Sequence, residues 1–366
     1  MQNQKVVINI VDQLSSVNFG IWHAAIASAE AMLKLFNIKS VLVAPVSDFE
    51  FNAEKFPFVE VYRIEKTGTD QAKEFLKKFD PETTVVATHG AWQFPTKWGD
   101  CAKSLGFSWI YTPHGMLEPW SMSQKRLKKW IYFNLIESIL AKKATLIRAV
   151  GKPEAINLSK DFSNVKLIAN GIYMSDILPI EKPNAPIQIL FLARLHVKKG
   201  IMPLLESWKS SKLTGNSNYV LKIAGTDDGE LQKVTDFISQ NPGLNVEFLG
   251  PQFGEEKRKL LMNSHFYILP SLSEGFPVSV IEAMAAGLVP IITKGCNFPE
   301  AFENGHGIET SQNMKVLIAT LNDLLNWHQL QREKMAENCQ TFVREHYTWE
   351  KIAEQQFKAF FPKVYN

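Results

Sequence analysis

The chain has 366 residues, enough for two domains that each bury a core of their own. Its 40 Lys and Arg against 37 Asp and Glu leave a formal net charge of +3, which gives no electrostatic footprint for nucleic-acid binding. Three scattered cysteines, Cys101, Cys296 and Cys339, form no CxxC pair and have no histidine at metal-ligand spacing, so no disulfide framework or metal site is expected and a reducing cytoplasm fits. The opening residues enter a strand at once, without the basic segment and apolar core of a signal peptide, and no run of about 18 apolar residues suits a membrane span.

From Lys5 onward, short β-branched runs alternate with helical periodicity. Strands are predicted at 6–10, 40–44, 59–64, 84–88, 108–112, 146–150 and 165–169, and a helix at about 20–36. Strands this apolar, separated by helices, indicate a parallel sheet covered on both faces. Ligands of such sheets bind beyond the carboxyl ends of the strands. There the chain places Ser15, Ser16, Val17, Asn18, Phe19 and Gly20 after the first strand, with Asn18 able to take positive φ. The G-x-G-x-x-G of a dehydrogenase is missing from this loop. Two later strands end in His89-Gly90 and His114-Gly115, where a side chain can enter a cleft with the backbone close behind it.

Residues 124–143 interleave Lys and Arg with Trp130, Tyr132, Phe133 and Leu127 on a predicted helix. This suits either a solvated basic face over a buried apolar one, or a helix lying on an anionic membrane surface. After Asn170-Gly171, the segment 173–186, with Pro179, Pro183 and Pro186, reads as a linker between domains 1–172 and 187–348.

The second half restarts with strand 187–192 and a loop carrying Arg194, Lys198, Lys199 and Gly200, followed by a helix to about 212. Strand 220–224 leads to Gly225, Asp227 and Asp228, read as a turn and helix N-cap rather than a metal site. Strand 246–249 and helix 255–263 precede strand 265–269, a polar loop with Glu274 and Gly275, and a helix in which Pro277 suits the first position. A helix opening directly after a strand aims unpaired N–H groups and its positive dipole end at the crevice, which suits an anion. Glu274 in the loop could reach sugar hydroxyls, while Glu282 in the helix could take a vicinal diol such as a ribose. Strand 289–293 and a loop at 295–300 follow, and beyond 312 the pattern is mostly helical, ending in a helix at 349–366.

Glu274-Gly275-Phe276-Pro277, with a second glutamate at Glu282 followed by Ala286-Gly287, resembles the paired-glutamate signature of the retaining group 1 glycosyltransferases, often called family 4. Arg194 and Lys199 match the family's diphosphate-holding pair. The His114 stretch is similar to one in bacterial surface-polysaccharide enzymes of the group, such as those making O-antigen and exopolysaccharide. The resemblance implies an α/β GT-B fold, two facing Rossmann-like doubly wound domains with the C-terminal helix crossing back to the first. It implies a metal-independent retaining transferase with no cofactor, using a UDP- or GDP-linked sugar as co-substrate and a saccharide or lipid-linked acceptor. Arg194, Lys199, Glu274 and His114 would then be catalytic. Glu282, Gly275, Phe276, Pro277, Gly225 and Asn170 would bind the donor, and Asn18, Gly20 and His89 would lie on the acceptor side, the loop at 15–20 departing from the family's paired glycines. A nucleotide-sugar epimerase on the same fold and a noncatalytic sugar-binding protein are the rival readings.

Overall fold

Among the described residues thirteen strands, all in parallel pairings, form two sheets, and twelve of the strands lie where the hydrophobic runs predict them. The computed structural model describes residues 4–15, 17–178 and 182–362; Ser16 and Pro179 lie outside these, as do residues 363–366 of the expected last helix. It divides into two units, Met1–Gly171 with Trp349–Asn366, and Ile172–Thr348.

The first unit holds β1 (Lys5–Val11), β2 (Ile38–Pro45), β3 (Val59–Ile64), β4 (Thr84–His89), β5 (Ser108–Thr112), β6 (Leu146–Ala149) and β7 (Val165–Leu167). Their spatial order is β3-β2-β1-β4-β5-β6-β7, so the winding reverses between β1 and β4. Side chains two apart share a face: Ile8, Ile10, Val41 and Val43 pack with Phe75 and Trp98, while Val11, Leu42 and Ala44 pack with Trp22 on the other face. The continuous apolar runs follow from this double burial.

The predicted helix at 20–36 is two helices, Phe19–Ile26 and Ala29–Phe36. Ser28, with ψ near 0°, breaks the run, and its buried Oγ donates to Gln356 Oε1 at 2.7 Å on the last helix, Trp349–Phe360. Phe36 stacks on Phe357 at 4.2 Å between centroids, so the last helix packs within the first unit. Residues 126–141 are helical throughout, but 133–137 form a π turn that carries the fully buried Glu137 inward. There its carboxylate accepts from Tyr111 Oη at 2.7 Å and Thr96 Oγ1 at 2.8 Å. Periodicity could not expose that extra residue, because the apolar pattern on either side continues at ordinary helical spacing.

The second unit begins at Ile172, which bridges Thr348, so the proline-rich segment at 173–186 lies within it. It holds β8 (Ile187–Leu192), β9 (Tyr219–Ala224), β10 (Val246–Phe248), β11 (Phe266–Leu269), β12 (Val289–Thr293) and β13 (Ile308–Thr310), ordered β10-β9-β8-β11-β12-β13. β13 has no counterpart among the predicted strands, since Ile308-Glu309-Thr310 carries one apolar residue; it exists through its pairing with β12. Here the winding reverses between β8 and β11.

Packing in the first unit is tight enough to invert a usual rule. Gly99 lies inside helix Phe94–Ser104, where alanine ordinarily adds about 0.5–1 kcal/mol of stability. A Cβ there would come within 2.1 Å of the fully buried Trp109 ring. Gly99→Ala is therefore expected to destabilise by about 1–3 kcal/mol, read as a lowered urea midpoint; a raised midpoint would contradict this packing.

Candidate active site

In a doubly wound sheet the crevice opens where the strand order reverses, beyond the carboxyl ends of the two strands that flank the reversal. In the second unit these are β8 and β11, and the loops leaving them carry Lys199 and Glu274. The two side chains meet across the reversal: Lys199 Nζ donates to both carboxylate oxygens of Glu274 at 2.7 Å, with only 15% and 10% of the side chains exposed.

The backbone beneath this pair is locked. Leu272 N–H donates to Lys198 O at 2.8 Å, and Gln312 Nε2 donates to Pro270 O at 2.6 Å. Gly200 has φ +75°, and a Cβ on it would lie 2.3 Å from Pro270 O, so the two loops cross where no side chain fits. Glu274 is held from both sides, its N–H donating to Gly295 O at 2.7 Å and its carbonyl accepting from Asn297 Nδ2. Gly225, expected on the donor side, has a role in the chain itself: its Cβ position is 1.8 Å from Ala193 O, so only glycine lets the loops after β8 and β9 touch.

Helix Val278–Ala285 opens four residues after Glu274. Pro277 is its N-cap, with φ −86° and ψ 71°, rather than its first helical residue. Its carbonyl accepts from Val280 N–H and Ile281 N–H and so starts the helix. Gly275 and Phe276 lie half-buried between glutamate and cap, and the Phe276 ring is 6.1 Å from Tyr347. One turn into the helix, Glu282 takes both oxygens to Lys257 Nζ at 2.8 Å. This pair borders a cleft of about 280 Å³ lined also by Asp176, Leu178, Gly254 and Arg258, near the lower edge of the roughly 300–1,000 Å³ typical of small-molecule sites.

Arg194 is more open. Its NH1 donates to Asp228 Oδ2 at 2.8 Å with 58% of the side chain exposed. Asp227 accepts from Gly229 N–H and Leu231 N–H, and these backbone bonds hold its carboxyl below the usual range. It thus closes the turn and tethers the first residue of the next helix, although the formal N-cap is Glu230. Lys198 also belongs here: burial pushes its ammonium down, Glu274 opposes that, and Lys199 and Arg194 add to it.

The first unit presents a different chemistry at its own strand reversal. His89 ends β4 and is buried; its Nε2 is 3.1 Å from Asn9 Oδ1 on β1, and its Nδ1 is 2.9 Å from His114 Nε2. His114 takes φ +53°, a conformation that a side chain of this size adopts at a cost. Gly115 N–H, next to it, is anchored on Glu154 Oε1 at 2.6 Å. Burial and the nearby Arg148 guanidinium push the His114 imidazole down to about 3, and burial, His114 and Arg148 lower that of His89 as well. Arg148 is itself fully buried, donating to Ile168 O, Ala169 O and Asn170 Oδ1. Burial raises the Glu154 carboxyl to about 7.

Two groups of expected residues are therefore brought together. Lys199, Glu274, Gly275, Phe276 and Pro277 share the second unit's crevice, and His89 with His114 form one hydrogen-bonded pair in the first. Asn170 lies in the first unit on Arg148, while the remaining donor-side residues are all in the second. Asn18 has φ −96°, so the positive φ that it could take is not used, and it ties its Nδ2 to Asp12 Oδ1 at 2.7 Å. Gly20 is exposed, and a Cβ on it would meet open space. Sequence reasoning passed over Asn9, Arg148 and Lys257, whose partners are 20 to 80 residues away along the chain, and it read Asp228 as part of a turn and cap, where it accepts from Arg194, 34 residues away. Lys198 had a signal, the doublet with Lys199 just before a strand-to-helix turn.

Comparison with known proteins adds an independent finding. Residues 177–342 match the model of "Glycosyl transferases group 1". Over 269 residues the chain is 23% identical to a polypeptide of the human phosphatidylinositol N-acetylglucosaminyltransferase, covering 71% of this chain and 53% of that one. It is 30% identical over 202 residues to the N,N'-diacetylbacillosaminyl-diphospho-undecaprenol alpha-1,3-N-acetylgalactosaminyltransferase of Campylobacter jejuni, covering 54% and 49%. The chain thus spans about half the length of these curated relatives. Among solved structures it resembles Anabaena Alr3699/HepE in complex with UDP and glucose, with a TM-score of 0.70, 19% identity and coverage of 95% and 97%.

The Lys199–Glu274 pair has a measurable signature. Orphaning one member of a buried ion pair costs about 3–5 kcal/mol, so about 2–4 kcal/mol is expected for Lys199→Met at this slight exposure. Adding Glu274→Leu should recover most of the loss. A thermal-denaturation double-mutant cycle checks it, and additive losses would mean that the two side chains are not coupled.

Proposed function

From the premise that residues 177–342 belong to the group 1 glycosyl transferases on a GT-B frame, we propose that this chain is a retaining hexosyltransferase. It moves a sugar from a UDP- or GDP-linked donor to a saccharide or lipid-linked saccharide, in bacterial surface polysaccharide synthesis. The observation that carries the reading is the nearly buried Lys199–Glu274 pair at the β8/β11 reversal, with a helix amino end four residues on. A nucleoside diphosphate is the anion such a crevice suits.

In this reading Lys199 and Arg194 stabilise the negative charge that grows on the departing diphosphate, the part played elsewhere by a metal ion, so the reaction is metal-independent. Glu274 accepts from sugar hydroxyls, and Glu282, beside its cleft, takes the two ribose hydroxyls. His114 accepts from a sugar hydroxyl on the first unit. The acceptor hydroxyl attacks from the face that the diphosphate leaves, through an oxocarbenium-like state.

The lipid-linked acceptor draws support from the Campylobacter relative, whose name specifies a diphospho-undecaprenol substrate, and from the surface of the first unit. Leu127, Ile131, Leu135 and Ile139 recur every fourth residue along 126–141 as an outward apolar stripe, Leu127 71% and Leu135 67% exposed, with Trp130 beside it at 60%. Lys125, Arg126, Lys128, Lys142 and Lys143, within and just beyond the same segment, are exposed. A water-facing helix carries charge where this one carries leucine and isoleucine, and aromatic and aliphatic groups rimmed by cations suit the headgroup region of an anionic bilayer. No helix among the described residues is long and apolar enough to cross a membrane; the contact proposed is a peripheral one, at the cytoplasmic face.

Nucleotide release from a panel of UDP-, GDP- and ADP-sugars, with saccharide acceptors present, tests the activity. Glu282→Ala should raise the donor KM, and Arg194→Ala should mainly lower kcat, each by roughly 10- to 100-fold, the worth of one charge-assisted contact. Wild-type kinetics in both variants would overturn the assignment. In vesicle flotation, the chain should rise with phosphatidylglycerol-containing vesicles and not with phosphatidylcholine alone, and Leu127→Glu with Leu135→Glu should abolish the effect. Absence of binding to either vesicle would remove the membrane from the picture.

A further inference from the structure

The His89–His114 pair can be read proton by proton, because its first member lies against a side-chain amide oxygen. Asn9 lies in the middle of β1, 4% exposed, with Oδ1 turned to His89 Nε2 at 3.1 Å. A carbonyl oxygen only accepts, so His89 carries its proton on Nε2. Its Nδ1 is then a bare lone pair, and the 2.9 Å contact requires His114 to donate from Nε2. A neutral imidazole has one proton, so Nδ1 of His114 is left as an acceptor, and it has no partner among the described residues. The charge of the nearby Arg148 guanidinium opposes a second proton on either ring.

We infer that Asn9 and His89 are positioning residues that fix the tautomer of His114, so that its Nδ1 presents a permanent acceptor to a hydroxyl of the bound sugar. The inference rests on the glycosyltransferase reading for the identity of that hydroxyl, but the relay itself does not. Three features serve the same end. Positive φ at His114 and the Glu154 clamp on Gly115 N–H fix where the ring leaves the backbone. Burial keeps the His89 ring out of contact with solvent. The main-chain register, Asn9 opposite Ala87 and Val11 opposite His89, brings the amide and the ring together from adjacent parallel strands. A histidine fixed in this way contributes a hydrogen bond rather than a proton transfer.

The test is spectroscopic and needs no substrate. In long-range ¹H–¹⁵N correlation spectra of the full chain labelled with ¹⁵N-histidine, His89→Gln and His114→Gln assign the two rings. Both are expected as neutral Nε2–H tautomers, unchanged from pH 6 to 8. Asn9→Leu, which removes the acceptor at similar volume, should let His89 invert and give His114 a mixture of Nδ1–H and Nε2–H forms. A wild-type spectrum with His114 protonated at Nδ1, either ring titrating between pH 6 and 8, or an unaltered tautomer in a folded Asn9→Leu would overturn the relay. The wild-type spectrum decides alone if Asn9→Leu does not fold. A relay intact in a chain that releases no nucleotide would count against the proposed activity and leave the relay standing.

Discussion

The second unit's crevice depends on one interaction, the two-pronged bond between Lys199 and Glu274. Two charges at this separation attract by about 6 kcal/mol at an effective dielectric near 20, and removing each from water costs several kcal/mol. The two terms nearly cancel, so the pair adds little to the net stability of the fold. Its structural consequence lies in what it forbids: neither side chain can leave alone without stranding the other in a nearly dry site. Loops from β8 and β11 are thereby held in register, and the same loops share a backbone hydrogen bond and a crossing that only glycine permits.

The two strand reversals solve the placement of polar groups in opposite ways. In the second unit, charge is kept and balanced, carboxylate against ammonium or guanidinium, at Lys199–Glu274, Lys257–Glu282 and Arg194–Asp228. In the first unit the charge of the imidazoles is suppressed. Burial and a nearby guanidinium disfavour a second proton on either ring, and an amide oxygen lies against the first. Arg148 can stay charged there because three oxygens receive its donors. Balanced ions suit a ligand that brings its own charge, and neutral acceptors suit one that brings hydroxyls.

How much of this was legible in the sequence follows from where each partner sits along the chain. Lys199, Glu274, Gly275 and Glu282 were readable because strand-loop-helix grammar is local, and a loop's chemistry is written in the few residues between two hydrophobic patterns. His89 and His114 were readable as strand-end residues, but not as one pair, since a separation of 25 residues carries no periodic signal. Asn9 was hidden for a further reason: within β1 it reads as a polar interruption of an apolar strand, and only the parallel register with β4 shows what it touches. The break at Ser28 needed Gln356, 328 residues away. Pro277 moved by one position because proline's fixed φ suits the cap as well as the first turn.

If the proposed activity holds, the ion pairs also constrain how a donor enters. Lys199 already has both carboxylate oxygens of Glu274, Lys257 both of Glu282, and Arg194 one of Asp228, so the cations for a diphosphate and the acceptors for a sugar are spent on each other. A nucleotide-sugar must exchange these partners rather than add to them. The exchange is nearly conservative for Lys199, which passes from a carboxylate to a phosphate oxygen of like charge. It frees Glu274, which then needs donors and finds them only if sugar hydroxyls arrive in the same event. Diphosphate alone satisfies the lysine and strands the glutamate; a neutral sugar alone cannot compete for the lysine. Only a molecule carrying both groups at the right separation repairs every bond that it breaks, so the ion pairs themselves select for it.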